Sequence, residues 1–283
     1  MLKPALVLAL ILPLAACAST PPKPSGFLSR YNGLQEKKAM RAGQSVRSDP
    51  VALARVKKVA IAPPIIADGP GGNWMGEKGR TLILREMEAQ LCFELSERYD
   101  IAAAPGPGAV LVRSAVTRVK PTGQTGSMAS AAVGFFIPGP IGVRAGARGA
   151  LSAEAEMMDG DKQIAAIIWR RKANTVGTDN PSLSEIGDAL QFVEPFADAV
   201  GRTMEVKGAE KKKIESATDP CAQYGPRIRP EGWVAKFATG LYVPELSKAQ
   251  TEVKAEEKAE EKAEAKAEEE AKVKKTEPEA KQP

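Results

Sequence analysis

Leu151-Ser-Ala-Glu-Ala-Glu-Met157 alternates apolar and polar side chains, Asp159-Gly160-Asp161 follows as a turn, and Gln163 to Arg170 returns as a second extended run. Period two marks a β-strand with one buried and one wet face, and an Asp-Gly turn between two such runs marks a β-hairpin. The wet face carries Ser152, Glu154 and Glu156 in this reading. The hairpin sets the class, because a two-stranded ribbon needs more strands or a helix against its apolar face to be stable.

Working outward from the hairpin, Ala109 to Val119 is rich in β-branched residues and reads as a strand, as does Val56 to Ala62 before Pro63-Pro64. Between them the period changes. Leu84, Met87, Leu91 and Leu95 fall at helical spacing over Arg80 to Tyr99, with Arg85, Glu86, Glu94 and Glu97 largely opposite, so this stretch is an amphipathic helix with Cys92 at the flank of its stripe. After the hairpin, Leu183, Ile186, Leu190, Val193, Ala197, Val200 and Met204 repeat in steps of three and four. Ser182 and Glu185 precede them in capping-box relation, and Pro195 is expected to bend the helix. The order β-α-β-β-β-α gives an α+β fold: an antiparallel or mixed sheet with two amphipathic helices packed on one face.

The ends of the chain have a different composition. Lys3 precedes an apolar run from Ala5 to Leu14, which ends in Leu14-Ala15-Ala16-Cys17. The run is shorter than the ~20 residues needed to cross a bilayer and is broken by Pro13. It reads as a secretory signal over residues 1–16 and resembles the leader and lipobox of bacterial lipoproteins. That resemblance implies acylation of Cys17, and Ala18 in place of an aspartate implies the outer membrane, with the body on the periplasmic face. Residues 17–26 are the acylated cysteine and a proline-rich linker, 27–206 the α+β domain, and 207–250 a wrap over the core containing Cys221, Trp233, Phe237 and Tyr242. Residues 251–283 repeat Ala-Glu-Glu-Lys with almost no apolar face, a solvated tail, partly helical or disordered. Glu252 to Lys281 holds eleven acidic and eight lysine residues, so the net +5 of the chain resides in the body.

With Cys17 acylated, Cys92 and Cys221 are left as an even pair in an oxidising compartment. A disulfide stapling the C-terminal segment to the body is the preferred reading, and two separate buried thiols the other. No Cys-x-x-Cys motif is present, so such a bridge is structural.

Ser25-Gly-Phe-Leu-Ser-Arg-Tyr-Asn-Gly-Leu34, Pro105-Gly-Pro-Gly108 leading into Leu111 to Val119, Leu151 to Glu156 with Asp159, and the helix around Asp188-Ala189 together resemble a bacterial lipoprotein family filed as domain of unknown function 3313. The likeness covers roughly residues 25 to 205. The family's first motif usually has an acidic residue where Arg30 stands, and its late helix often has a tryptophan that is missing here. The resemblance implies a location and a fold, and brings no catalytic residues with it.

Chemistry is mostly excluded. The chain has no histidine, which removes Ser-His-Asp and Cys-His catalysis, His-ligated zinc and the usual neutral general base. Glu154 and Glu156 stand two apart on one strand face, at the ~7 Å separation of a glycosidase pair, but a solvated face explains them more simply. The loop Asp68 to Gly79 is glycine-rich before a helix yet lacks Gly-Lys-Ser/Thr and both nucleotide glycine spacings. Met128 to Val143 carries no charge and reads as a buried crossover or as an apolar patch that docks on membrane or partner. The expectation is a non-enzymatic binding or scaffolding lipoprotein without cofactor, metal or catalytic residues. It is held to the membrane by its lipid, with an envelope protein or peptidoglycan as possible partner and no nucleic acid. The alternative is an envelope glycan or peptide hydrolase using the carboxylate pair.

Overall fold

Strand pairing organises the molecule, and a computed structural model describes residues 23–38, 41–68, 71–106, 108–123, 142–143, 148–174, 176–177, 179, 182 and 184–227. The strands are β1 (Gln35–Lys38), β2 (Gly43–Ser48), β3 (Lys58–Ile61), β4 (Ile65–Ile66), β5 (Asp100–Ala102), β6 (Ala109–Lys120), β7 (Gly142–Val143), β8 (Ala150–Asp159), β9 (Lys162–Lys172) and β10 (Val176–Gly177). The helices are α1 (Pro50–Leu53), α2 (Glu77–Ser96) and α3 (Gly187–Met204). Eight strands form one mixed sheet in the order β1-β2-β9-β8-β6-β3-β5, with β4 also on β6, while β7 and β10 pair separately. β3 runs parallel to β5 and β6, and β6, β8, β9, β2 and β1 are antiparallel in turn. The fold is therefore α+β with a mixed sheet.

The hairpin of β8 and β9 lies at its centre, closed by an Asp159–Lys162 pair, with Gly160 at φ +57° in the left-handed region that glycine adopts freely. One side of the sheet is covered by α2 and α3. Val112, Val116, Ala153, Ala155, Met157, Ala165, Ile167 and Trp169 point to that side and join Ile83, Met87, Leu91, Leu95, Phe192, Phe196 and Val200 in one core. The Trp169 and Phe196 rings meet at 5.7 Å, tilted by 58°.

β1 and β2 carry too little apolar character to read as strands; β2 is recruited by the free edge of β9, and β1 then pairs with β2. Asp49, just past β2, accepts from the amides of Val51 and Ala52 and starts α1 on Pro50. α3 begins at Gly187, later than the Leu183 periodicity suggests. The capping box is not formed: no side chain caps the helix, and Ser182 Oγ accepts from the Ser184 amide. Instead Asp188, fully buried in the first turn, receives the Gly149 amide at 2.7 Å and donates its own amide to Thr122 Oγ1. At the other end of α3, Tyr99 Oη donates to the carbonyl of Met204. Burial pushes the Tyr99 phenol up to about 12.

α2 is not amphipathic in the one-sided sense. Ile83, Met87, Leu91 and Leu95 face the sheet, while Ala89, Cys92 and Phe93 face residues 207–227, which fold back across the helix and bury Cys221 and Tyr224 against it. Cys92 and Cys221 are bonded, with Cα atoms 5.9 Å apart and 129 positions between them. Arg227 locks the same segment: it donates to Asp219, to the Phe93 carbonyl and to Ser96 Oγ, and lies over the Phe93 ring at 5.0 Å. Trp233, Phe237, Tyr242 and the charged tail lie outside the described residues, as do the leader and Cys17.

Closing so long a loop restricts the unfolded chain, so replacing both Cys92 and Cys221 by alanine is expected to cost about 2 to 5 kcal/mol. Urea unfolding of the variant against the oxidised parent measures the loss, and a midpoint unchanged by the substitution would show that the bridge contributes nothing.

Candidate functional site

The second side of the sheet is where the sequence and the structure part. Glu154 and Glu156 are both 0 % exposed, so the face expected to be wet is buried. Its cover is the chain's own segment Ser25 to Leu34, which passes over β6, β8 and β9 and places Leu28, Phe27, Tyr31 and Leu34 against Ala166 and Ile168. Register puts Arg113, Glu156, Ala166 and Arg47 in one row across four strands, and Ala115, Glu154, Ile168 and Ser45 in the next. A carboxylate in such a place is costly unless every oxygen is bonded.

Both carboxylates are bonded, and mostly by this segment. Glu154 Oε1 accepts the Ser25 amide at 2.8 Å and its Oε2 accepts Tyr31 Oη at 2.7 Å. The same Tyr31 oxygen accepts the amides of Gly26 and Leu28, at 2.7 and 3.0 Å, so one hydroxyl ties the turn to itself and to the sheet. Glu156 Oε2 accepts the Ser29 amide, Ser29 Oγ and Gln163 Nε2, at 2.9, 2.8 and 2.5 Å. Its Oε1 takes both Nε and Nη2 of Arg113, whose guanidinium also lies over the Phe27 ring. Gln163 donates in addition to the Arg30 carbonyl, and Arg47 to the Asn32 carbonyl. Gly26 and Gly33 hold φ +97° and +82°, backbone that a side chain would strain, which explains two of the glycines in this motif.

The electrostatics follow from the partners. Burial alone would raise the Glu156 carboxyl, but hydrogen bonds from Gln163, Arg113 and Ser29 outweigh it and hold the group below its ordinary value. Burial, then the bond to Glu154, raises the Tyr31 phenol. The pair therefore functions as a latch, with donors on all four oxygens.

The other residues singled out in the sequence take structural places. In the glycine-rich loop a Cβ on Gly71 would meet the Thr117 carbonyl at 2.5 Å, the Val119 amide donates to the Gly71 carbonyl, and Trp74 Nε1 donates to the Val119 carbonyl. Those contacts make it a loop packed on β6. Most of Met128 to Val143 lies outside the described residues. Among the described residues no group of three histidine, cysteine or acidic side chains is arranged to hold a metal, and no helix is long and apolar enough to cross a membrane. The sequence reading missed Ser29, Tyr31, Arg113 and Gln163 as partners of the pair. The available signal was the two acids set among the alanines and methionines of β8, with Ser152 beside them on the same face.

Tyr31→Phe leaves two amides and one carboxylate oxygen without their partner, and is expected to destabilise the fold by about 1 to 3 kcal/mol. Urea unfolding with amide exchange at Leu28 measures it; unchanged protection would show that the hydroxyl holds nothing. The pH dependence has a definite sign. Because the folded Glu156 carboxyl lies below its unfolded value of ~4.3, its contribution is complete above that value and is lost as pH falls through the folded one. The protection factor at Ser29, which corrects for the intrinsic slowing of amide exchange in acid, is expected to fall in acid in the parent, and to lose that acid dependence in Glu156→Gln.

No curated protein matches the chain significantly. Among solved structures it is similar to the PelC dodecamer from Paraburkholderia phytofirmans and to a leucine-to-methionine variant of that protein. Both likenesses are at 12 % identity over 55 % of this chain and 97 % of that chain, with TM-scores of 0.27 and 0.28 respectively. The protein family described as Protein of unknown function (DUF3313) matches residues 23–200, a span that includes the latch segment, the whole sheet and most of α3. The chain belongs to that family.

Proposed function

We propose that this chain is a lipoprotein anchored in the outer membrane through Cys17, with a non-enzymatic binding or scaffolding role in the cell envelope. The observation that carries the reading is the leader Met1 to Cys17, whose cysteine stands only eight residues before Ser25. Among the described residues, Ser25 is the first bonded to the sheet, through Glu154. Eight extended residues span at most about 29 Å, so acyl chains on Cys17 would keep the body close against the bilayer. One acyl chain gives marginal binding, and more than one gives stable anchoring.

Binding is preferred over hydrolysis because the only acid pair offered for catalysis is engaged. A substrate would have to displace Ser25 to Tyr31 to touch Glu154 or Glu156, and Glu154 would then lose its donors from Ser25 and Tyr31, and Glu156 those from Ser29. The uncharged Met128 to Val143 segment is the contact region this reading favours for an envelope protein or peptidoglycan.

Mass spectrometry of the protein isolated from its membrane is expected to find an N-terminal Cys17 carrying acyl groups, and Cys17→Ser to release the body from the membrane. A lipid-free mature N-terminus would overturn the anchor. Deleting Met128 to Val143 is expected to abolish cross-linking to a partner while the Cys92–Cys221 bridge still forms, and unchanged cross-linking would remove that segment from the contact region.

A further inference from the structure

Beyond the latch, the outer face of the sheet changes character at one end. Arg118 pairs with Ser152 and Ser152 with Arg170, so the two arginines flank one serine in a single row. In the next row Lys120 and Lys172 flank Ala150 in the same manner, and Arg148 enters directly before β8. Two strand spacings separate the members of each row, about 9.5 Å, and the rows lie about 6.8 Å apart along the strands. Period two puts these side chains on the same face as Glu154 and Glu156. Arg118, Lys120 and Lys172 are exposed, and Arg148 and Arg170 are partly so.

The five charges have no acidic counterpart among the described residues: no acidic side chain there comes within ion-pair distance of any of them. Asp188, near the start of β8, is turned inward and buried, with its Oδ2 on the Gly149 amide. The Lys172 amine is held below its ordinary value, first by partial burial and then by the positive charge of Arg148, Lys120 and Arg170. Uncompensated like charge opposes folding, and a surface of opposite sign relieves it.

The linker position decides which surface. Ser25 is bonded to Glu154, two residues along β8 from Ser152 and on the same face, so the chain leading back to Cys17 departs beside the basic rows. We infer that Arg118, Lys120, Arg148, Arg170 and Lys172 form a docking face for the anionic phosphate headgroups of the bilayer. The acylated Cys17 tethers this face to that bilayer. The inference rests on the anchor reading for its choice of occupant. It adds an orientation: the basic end of the sheet faces the lipid, and the helix-covered side faces away. Basic side chains near an anionic membrane act roughly additively, so a cluster of five is enough to fix a tethered body in one attitude.

The test uses the full chain with Cys17→Ser, which has no acyl groups, floated with neutral phosphatidylcholine vesicles and with vesicles containing about a third phosphatidylglycerol. The leader, which carries Lys3, is common to the parent and to both variants, so it cancels when they are compared. Preference for the anionic vesicles is expected to exceed about tenfold at low salt, to fall as salt is raised, and to vanish in Arg118→Glu/Lys120→Glu/Lys172→Glu. A charge-matched control, Arg55→Glu/Lys57→Glu/Lys207→Glu, is expected to retain it. All six positions are exposed, so both variants are expected to unfold in urea as the parent does. Equal partition into the two vesicle types, or equal loss in the two variants, would overturn the inference. Capture on purified peptidoglycan that the first variant alone abolishes, without vesicle preference, would overturn it in favour of an anionic glycan. The acyl mass on Cys17 is read separately. Loss of the anchor reading shows there and leaves the vesicle result untouched, while failure of the docking face leaves acylation intact.

Discussion

Two carboxylates in the middle of a sheet govern how this chain is arranged. Once Glu154 and Glu156 lie on the outer face of β8, that face cannot be covered by apolar side chains alone, because an unbonded buried carboxylate would cost several kcal/mol. The cover must bring donors, and Ser25, Ser29 and Tyr31 bring them from a segment more than 120 positions away in sequence. The central sheet is thus enclosed on both sides by different means. α2 and α3 enclose one side with hydrocarbon, which is tolerant of small displacements. The N-terminal segment encloses the other with hydrogen bonds, which are not.

A second closure works on α2. Its apolar residues exceed what one face can bury, and the surplus, Ala89, Cys92 and Phe93, is taken up by residues 207–227 through the Cys92–Cys221 bond and the Arg227 fork. Lys211 and Lys212 add pairs to Glu97 and Asp100, and the Lys212 amide donates to the Glu97 carbonyl near the end of the helix. The two closures are independent in sequence and in space. One joins the segment before the sheet to its outer face, and the other joins the segment after α3 to the layer behind it.

The sequence revealed those parts whose physics is local. The β8–β9 hairpin was legible because alternation and an Asp-Gly turn act over a dozen residues, and α2 because its stripe is long. The polarity of the outer face was misjudged because alternation of Ala with Glu looks the same whether the glutamates meet water or a distant strap. Only Tyr31 and Ser29, far off in the chain, decide between the two. β1 and β2 were missed since Gly43 to Ser48 is extended by pairing with β9, and Gln35 to Lys38 by pairing with β2, and both carry little strand propensity of their own. The capping box at Ser182 failed for a related reason: Asp188, Thr122 and Gly149 form a tertiary knot at the start of α3, and that knot sets where the helix begins. The glycines at 71 and 72 carry no nucleotide signature in one dimension, and in three they let the backbone approach β6 and Ile66.

A polar latch at this position does something that an apolar one would not. Apolar strips can slide over one another with little change in buried area, so they hold a segment down without fixing where it lies. Glu154 and Glu156 stand two residues apart on one strand, and their donors come from Ser25 and Tyr31 for the first and Ser29 for the second. A shift of the segment by one residue would leave both carboxylates with the wrong neighbours, so the register is set at a point eight residues beyond Cys17. If Cys17 is anchored as proposed, a pull along the linker meets hydrogen bonds to β8, the strand with partners on both sides at the centre of the sheet. Strain entering there is shared with β6 and β9, whereas the same pull on β1 would be opposed by one edge ladder alone.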